Sequence, residues 1–293
     1  MNKIPFYLLY AWAWIHAILP LRVLYFLSDV LYLFVFYVVG YRRKLTGKNL
    51  QQAFPDLSAR ELLRLEKRFY RHFCDTIVET IKLLHISDEE MKLRMKFNSI
   101  SILQDIIDKG GSFLLMLGHY GNWEWITSVN LWLKVGHGFV PGQVYRPLKS
   151  KTFDRFFLQL RARFQTIGFP KNKIMREIIQ IKQKKGHFGI GFITDQKPSA
   201  NNMHYWTTFL NQETAVLTGP ERLAKQADAA LIYMDIRKIK RGYYETDIQL
   251  ISDQPTTCIE FELTERYIRL METTILRDPA NWLWTHNRWK FKR

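Results

Sequence analysis

The chain has 293 residues, enough to bury a substantial core as one large domain or two small ones. Its formal net charge of +16 predicts an anionic partner: nucleic acid, anionic lipid or an acidic protein. No zinc-finger spacing, RNA-binding signature or basic zipper is present, whereas the aromatic share of 15% is typical of a membrane interface. Cys74 and Cys258 form no metal-like pair, which fits buried thiols in a reducing compartment. The composition therefore favours a membrane partner and argues against nucleic acid.

The first forty residues predict a membrane anchor. Between Ile4 and Gly40 only Arg22 and Asp29 are charged, and Pro20 divides the segment into two apolar parts. The second part approaches the roughly 20 residues that a spanning helix needs. Asp29 is costly at the bilayer centre, so we expect it at an interface or against a partner helix.

A basic segment, Tyr41-Arg42-Arg43-Lys44, follows the apolar one and would hold the later chain on the cytoplasmic side. We therefore expect an anchor over residues 1–40, spanning or embedded in the interface, and a second domain over 41–293. The alternative is a pair of buried core helices.

The remaining periodicity predicts alternating helices and strands. Residues 45–95 indicate helices, one of them starting at a capping box formed by Ser58 and Glu61. The other predicted helices begin near 123 or cover 152–167, 171–185, 214–226 and 260–276, and the predicted strands cover 112–117, 138–145, 188–194, 229–237 and 243–251. This alternation predicts an α/β fold, a sheet with helices on both faces.

Three loops that follow predicted strands carry reactive side chains, at 118–122, 145–147 and 195–198. Because reactive residues of such sheets gather beyond the carboxyl ends of the strands, we expect these loops to converge.

The first of these loops holds the most informative motif, Gly118-His119-Tyr120-Gly121-Asn122-Trp123-Glu124. Asn122 is a good N-cap for a helix starting at Trp123, so His119 is predicted on the loop and Glu124 in the first helical turn. From there the carboxylate could reach one imidazole nitrogen while the other nitrogen faces a substrate. Such a pair can deprotonate an alcohol. A structural histidine satisfied by a nearby carboxylate is the alternative.

Residues in the other two loops are candidates for substrate binding. Arg146 is either an anion clamp and stabiliser of developing negative charge or a surface arginine. Asp195 and Gln196 either line the pocket or form a turn before Pro198. No second cluster supplies zinc ligands, so we predict no metal site.

The C-terminal segment from Trp282 to Arg293 interleaves aromatic residues with cations. This pattern predicts either an interfacial segment beside anionic head groups or a Trp-rich strand packed in the core.

The ordered blocks of this chain resemble the late acyltransferases of lipid A biosynthesis, the lauroyl/myristoyl transferase family of the lysophospholipid acyltransferase-like superfamily. The likeness covers nearly the whole chain, including the apolar N-terminus, the His119–Glu124 block in its His-x4-Glu form, and Tyr145-Arg146-Pro147. It also includes Asp195-Gln196 and the Trp-x-His-x-Arg ending from Trp284. A Glu-Gly-Thr-Arg block, found in glycerolipid acyltransferases, is missing, which favours the lipid A branch.

This resemblance implies a glycerolipid-acyltransferase-like mixed sheet flanked by helices, with 41–293 as the acyltransferase domain. It also implies transfer of a fatty acyl group from acyl carrier protein to a hydroxyl of a lipid A precursor, at the cytoplasmic face of the inner membrane. His119 would be the general base, Glu124 its orienter, Arg146 a phosphate or oxyanion site, and Asp195 a group orienting donor or acceptor. No cofactor is expected, because the donor brings its own phosphopantetheine arm.

Two alternatives remain at this point. One is acyl transfer to another lysophospholipid or glycolipid, and the other is a non-catalytic basic adaptor on the membrane. A His119 that faces a solvent-reachable cleft and contacts Glu124 would favour an enzyme, and a His119 packed with no cleft would favour the adaptor.

Overall fold

The fold is described from a computed structural model that covers residues 4–291. Ten α-helices occur in this part of the chain: α1 Ile4–Ile18, α2 Leu21–Leu33, α3 Arg43–Ala53, α4 Ala59–Lys82, α5 Asp88–Arg94, α6 Ser101–Asp108, α7 Lys151–Arg161, α8 Ile174–Gln183, α9 Gly219–Ala227 and α10 Glu262–Arg277. The strands over the same residues are β1 Met95–Asn98, β2 Phe113–Leu117, β3 Phe139–Tyr145, β4 Ile167–Pro170, β5 His187–Ile193, β6 Tyr205–Phe209, β7 Gln212–Val216, β8 Ala230–Lys240 and β9 Tyr243–Ser252.

Seven strands form one mixed sheet in the order β1-β9-β8-β2-β5-β3-β4. All neighbours are parallel except β8 and β9, which form an antiparallel hairpin. Strand β2 lies at the centre and all five of its residues are buried, as expected for a parallel strand covered on both faces. Strands β6 and β7 form a separate two-stranded sheet. The mixed α/β fold predicted from the sequence is confirmed.

Most predicted elements are present, and the exceptions have local causes. The helix predicted over 152–167 ends at Arg161, and the chain re-enters the sheet as β4, where Gly168 packs against Leu158. The helix predicted over 214–226 begins only at Gly219, because Thr214 to Val216 pair with β6. The helix after Asn122 is a 3₁₀ helix, Trp123–Leu131, rather than an α-helix.

The N-terminal helices pack against the domain along one face and leave the other face exposed. The helix Leu21–Val39 consists of α2 and a π-helical turn, Phe34–Val39, and ends at Gly40 in the left-handed region (φ 61°). By length and apolar composition this helix could cross a membrane, although 22% of its most apolar 18-residue stretch is buried against the protein. Asp29 forms an ion pair with Arg241 at 2.7 Å, so its partner is the turn between β8 and β9 rather than a helix.

A buried polar cluster joins these helices to the first reactive loop. Glu79 on α4 is fully buried and accepts hydrogen bonds from Tyr25 (2.8 Å), Asn122 (2.7 Å) and Tyr244 (2.8 Å). Burial raises the pKa of Glu79. Because the three donors come from α2, the loop after β2 and strand β9, this carboxyl group ties the three regions together.

Candidate functional site

Three strand ends bring the predicted reactive loops together. Strands β2, β3 and β5 are parallel neighbours, and their carboxyl ends lead to His119, Arg146 and Asp195. The convergence predicted from the sequence is therefore present, with Gln196 beside His119.

The His119 imidazole is held by Asp195. Its Nδ1 lies 2.7 Å from Asp195 Oδ1, and the His119 backbone N–H donates to Asp195 Oδ2 at 2.9 Å. The histidine side chain is 19% exposed and the aspartate side chain 2% exposed. The pair therefore places a reachable imidazole on a buried carboxylate.

Asp195 remains ionised in this setting. Burial alone would raise its pKa, but the charge and hydrogen bonds of His119 and a hydrogen bond from Trp282 outweigh burial and lower the pKa to about 2. Trp282 Nε1 donates to Asp195 Oδ2 at 2.7 Å. Since an ionised carboxylate only accepts hydrogen bonds, Nδ1 of His119 carries a proton in this contact, and in the neutral tautomer of the ring Nε2 keeps its lone pair.

Glu124 lies in the first turn of the helix as predicted, but its carboxylate does not make the predicted contact with His119. Its two carboxylate oxygens accept from Arg161 Nη2 at 2.5 Å and Nε at 2.8 Å, a bidentate ion pair, and no hydrogen bond joins it to His119 within residues 4–291. The reason is geometric: Asp195 already occupies Nδ1, while Glu124 points towards the guanidinium of α7. Asp195, rather than Glu124, is therefore the carboxylate that contacts the imidazole. Glu124 still lines both cavities.

Local sequence explains the shape of the His119 loop. Gly121 has φ +58°, and a Cβ there would approach Ile236 to 2.8 Å, so this position favours glycine. Asn122 is fully buried, accepts from the Trp125 N–H as the predicted N-cap, and donates to Glu79. The turn is therefore fixed from inside the protein.

The segment 279–289 closes over this loop. Leu283 N–H donates to the His119 carbonyl at 3.0 Å, and Gly121 N–H donates to the Asn281 carbonyl at 2.9 Å. Trp282 and Trp284 are 2% and 0% exposed. These two tryptophans are packed in the core, as one alternative predicted, but the segment is not a strand and Trp289 is only partly buried. Lys292 and Arg293 lie outside the described residues.

Two more members of the Trp-x-His-x-Arg ending lie near the pair. Burial lowers the pKa of His286 to about 4, against the opposing charge of Asp195. Burial also lowers the pKa of Arg288 to about 10, again opposed by Asp195. Arg288 is 3% exposed, and its Nε and Nη2 have no hydrogen-bond partner within residues 4–291. At neutral pH the pair therefore has a buried cation and a neutral imidazole as neighbours.

Two apolar cavities meet at His119. The inner cavity, about 260 Å³, runs against the sheet and is lined by residues that include Leu115, Val129, Gly142, Gly189, Gly191 and Ile193. The outer cavity, about 480 Å³, lies between α1, α4 and α7 and is lined by residues that include Leu9, Trp12, Phe73, Ile77, Phe153 and Phe157. Both cavities are also bordered by His119, Glu124, Arg146 and Arg161.

Three cations without carboxylate partners lie close to one another beside these cavities, and one of them, Arg146, lines both. Arg146, Lys197 and Lys290 form no ion pair with any residue in the described range 4–291. Partial burial and the charges of Lys290 and Arg146 lower the pKa of Lys197. We call these three residues the mouth cations. Gln196 lies beside them, with its amide nitrogen 3.3 Å from His119 Nε2.

No group of three or more potential metal ligands occurs among residues 4–291. The polar groups at the site are those of an acid–base centre: an imidazole, its carboxylate and nearby cations.

A comparison with protein families identifies the class of this enzyme. The family model described as bacterial lipid A biosynthesis acyltransferase matches residues 2–291, essentially the whole chain. The fold and this match together identify the protein as a mixed α/β enzyme of the acyltransferase class. The chain belongs to the bacterial lipid A biosynthesis acyltransferase family. A comparison with curated proteins finds no match.

Sequence reasoning missed Arg161 and Trp282 as site residues. Arg161 is one of 43 basic residues, and no spacing links it to Glu124. Trp282 had a weak signal, since its tryptophan-rich segment was a candidate for core packing, but its bond to Asp195 depends on tertiary contact.

The ion pair between Glu124 and Arg161 yields a stability prediction. Glu124→Gln leaves the guanidinium largely buried without a counter-charge, so we expect a loss of about 3 kcal/mol in the free energy of unfolding. The double variant Glu124→Gln/Arg161→Met removes both charges and should recover most of that loss. Denaturant unfolding of the detergent-solubilised protein measures both. Losses that simply add in the double variant would contradict the pairing.

Proposed function

We propose that this lipid A biosynthesis acyltransferase moves a fatty acyl group from the thioester of acyl carrier protein to a hydroxyl of a lipid A precursor. The observation that carries the proposal is the His119–Asp195 pair, whose imidazole lies where two apolar cavities meet. Acyl transfer between two lipids requires that both of them reach the same base, and two cavities that meet at His119 allow this.

The reaction follows from the proton positions. His119 Nε2 takes the proton of the acceptor hydroxyl, replacing its contact with Gln196, while Asp195 stabilises the imidazolium. The hydroxyl oxygen attacks the thioester carbonyl, and a new C–O bond forms. The C–S bond then breaks, and the departing thiolate takes the proton back from His119. No covalent enzyme intermediate, metal or redox cofactor enters this scheme.

The two cavities offer separate places for the two lipids. The inner cavity is closed by the sheet and suits the acyl chain of the donor. The outer cavity reaches α1 and suits the chains of the acceptor. Glu124 and Arg161, which border both cavities, would then position the reacting groups rather than transfer a proton.

The mouth cations suit a phosphate group. Arg146, Lys197 and Lys290 are cations without ion-pair partners within residues 4–291, and a phosphorylated glycolipid or a phosphopantetheine arm would supply the missing charge. Arg146 could also stabilise the tetrahedral oxyanion.

A membrane location completes the proposal. Residues 1–40 would hold the protein at the cytoplasmic face of the inner membrane, where an acidic carrier protein and a lipid acceptor can both reach the site. The reachable His119 disfavours the non-catalytic adaptor, which required a histidine packed away from any cleft.

The first activity prediction concerns the base and its carboxylate. His119→Ala should lower kcat by roughly 10²–10⁴-fold, the share of proton transfer. Asp195→Asn should lower kcat by a similar factor, because an amide that donates to Nδ1 would place the proton on Nε2. Acyl transfer followed by mass spectrometry measures both.

Glu124→Gln/Arg161→Met serves as the matched control for this prediction. If Asp195 orients the histidine, this double variant should keep a larger kcat than Asp195→Asn. An equal or greater loss in the double variant would return the orienting role to Glu124.

The second activity prediction concerns acyl-chain length. A Cβ at Gly191 would have only ordinary contacts, the nearest at 3.8 Å, and the residue lines the inner cavity. Gly191→Val should therefore shorten the cavity without disrupting the sheet and shift donor preference towards shorter acyl chains. Competition between donors of different length measures this shift. An unchanged preference with normal turnover would exclude the inner cavity as the donor site.

The third activity prediction concerns the mouth cations. Arg146→Gln and Lys197→Gln should each raise KM several-fold at low salt, and the difference from wild type should shrink as salt screens the charges. Lys109→Gln, an exposed charge on the far end of α6, is the matched control. KM values that change equally in all three variants would exclude a phosphate site at the mouth.

A further inference from the structure

We infer that the helix Leu21–Val39 does not cross the membrane: α1 and α2 lie in the plane of one leaflet, and the acceptor lipid enters the site sideways from that leaflet. The orientation is independent of the chemistry, whereas the entry route rests on the proposed function.

Helix α2 and its π-helical turn run antiparallel along α4 for their whole length. The contacts progress in opposite directions along the two helices: Lys82 donates to the carbonyls of Ala17 and Leu19 at 2.9 Å, Tyr25 bonds Glu79 at 2.8 Å, Ser28 bonds Asp75 at 2.8 Å, and Arg43 bonds Glu66 at 3.0 Å. Whatever depth α2 occupies in a bilayer, α4 must occupy beside it.

Helix α4 cannot lie at that depth. Arg71 is exposed on α4 at the level of Tyr32, and Arg68 is exposed one turn further along, beside the π-helical turn. Charged side chains are strongly disfavoured at the bilayer centre. Midway along α2, Asp29 is paired with Arg241 in the turn between β8 and β9, so a spanning α2 would also draw a turn of the main sheet into the hydrocarbon. Exposed irregular backbone is excluded from that region.

The exposed side of the helix pair is a continuous apolar face. On α2 and its extension, besides Val39 at the end, exposed large apolar residues recur every three or four positions, at Val23, Phe26, Leu27, Val30, Leu33, Phe34, Tyr37 and Val38. On α1 they are Ile4, Tyr7, Leu8, Trp12, Trp14, Ile15 and Ile18. We call these fifteen residues the leaflet face. A stripe on one side of helices whose other side is bound to protein is the pattern of interfacial helices.

Cations border the leaflet face, which fits an anionic leaflet. Arg71 lies 5.1 Å from the ring of Tyr32, and Lys67 lies 5.7 Å from the ring of Tyr37. On α7, Arg155 lies 4.1 Å from the ring of Phe6. Helices lying flat would place these cations at the level of anionic head groups.

The outer cavity opens at the edge of this face. Its lining includes Leu9 and Trp12 of α1, Ile77 of α4 and Phe153 of α7, and it continues to His119. Trp12 belongs to both the leaflet face and the cavity, and Ile77 is 37% exposed. Acyl chains in the leaflet are therefore continuous with the cavity, and a lipid could reach the base without its chains entering water.

Membrane depth tests the orientation. Spin labels at Val23→Cys, Val30→Cys and Val38→Cys are compared in the full chain bound to vesicles containing anionic phospholipid, in a Cys258→Ser background that retains the fully buried Cys74. Flat helices should give three equal depths within about 10 Å of the head groups. A label at Val30 near the bilayer centre, with shallow labels at both ends, would overturn the proposal.

Sidedness gives an independent measurement of the same orientation. Arg22→Cys lies at the turn between α1 and α2, and Lys44→Cys, its control, lies at the domain end. With an impermeant maleimide, both should react from the side of the domain. Reaction of Arg22→Cys only from the opposite side would show that the helix spans.

Transfer to acceptors in two physical states tests the entry route. Leu8→Glu places a charge on the leaflet face outside the cavity lining. Leu276→Glu, at an exposed position on α10, is the matched control. Leu8→Glu should lose at least about tenfold of its activity on acceptor in a bilayer and keep its activity on detergent-dispersed acceptor. Equal losses on both acceptors would overturn sideways entry.

If the wild-type protein acylates neither acceptor, the proposed function fails, while the depth and sidedness results still decide the orientation.

Discussion

The hydrogen bond between His119 and Asp195 is the contact on which the site depends. It joins the ends of β2 and β5, two central strands, and it fixes the tautomer that leaves Nε2 free. Trp282 holds the second oxygen of the same carboxylate. A buried carboxylate is costly unless its lone pairs are satisfied, so the imidazole, the backbone N–H and the indole together make this charge tolerable. The same three donors that stabilise Asp195 also aim His119 at the cavities.

A second constraint acts from beneath the loop. Glu79 accepts hydrogen bonds from α2, from the loop and from the sheet, so a shift of any of the three regions breaks a hydrogen bond to a buried carboxyl group. The position of the histidine is thereby coupled to the seating of α2 on α4. Helix α2 is thus part of the scaffold of the site.

The sequence predicted the α/β fold and the convergence of three loops because apolar runs and turn residues are local signals. It placed His119 on a loop and Asn122 at a helix start for the same reason. It could not choose between Glu124 and Asp195 as partner of the imidazole. Sequence proximity favoured Glu124, whereas the strand order of the sheet, with β5 directly beside β2, placed Asp195 within 2.7 Å. The strand β4 and the hairpin of β6 and β7 escaped prediction because they are short, and the tertiary contacts of Arg161 have no local signature.

The contact of segment 279–289 with the His119 loop has a consequence for biosynthesis. Translation proceeds from the N-terminus, so the helices of the leaflet face leave the ribosome more than two hundred residues before Trp282 and Leu283. Until those residues arrive, Asp195 lacks its indole donor and the His119 carbonyl lacks its partner. The N-terminal helices are therefore made well before the base is held in place, and the site is complete only when the last segment of the chain has been synthesised.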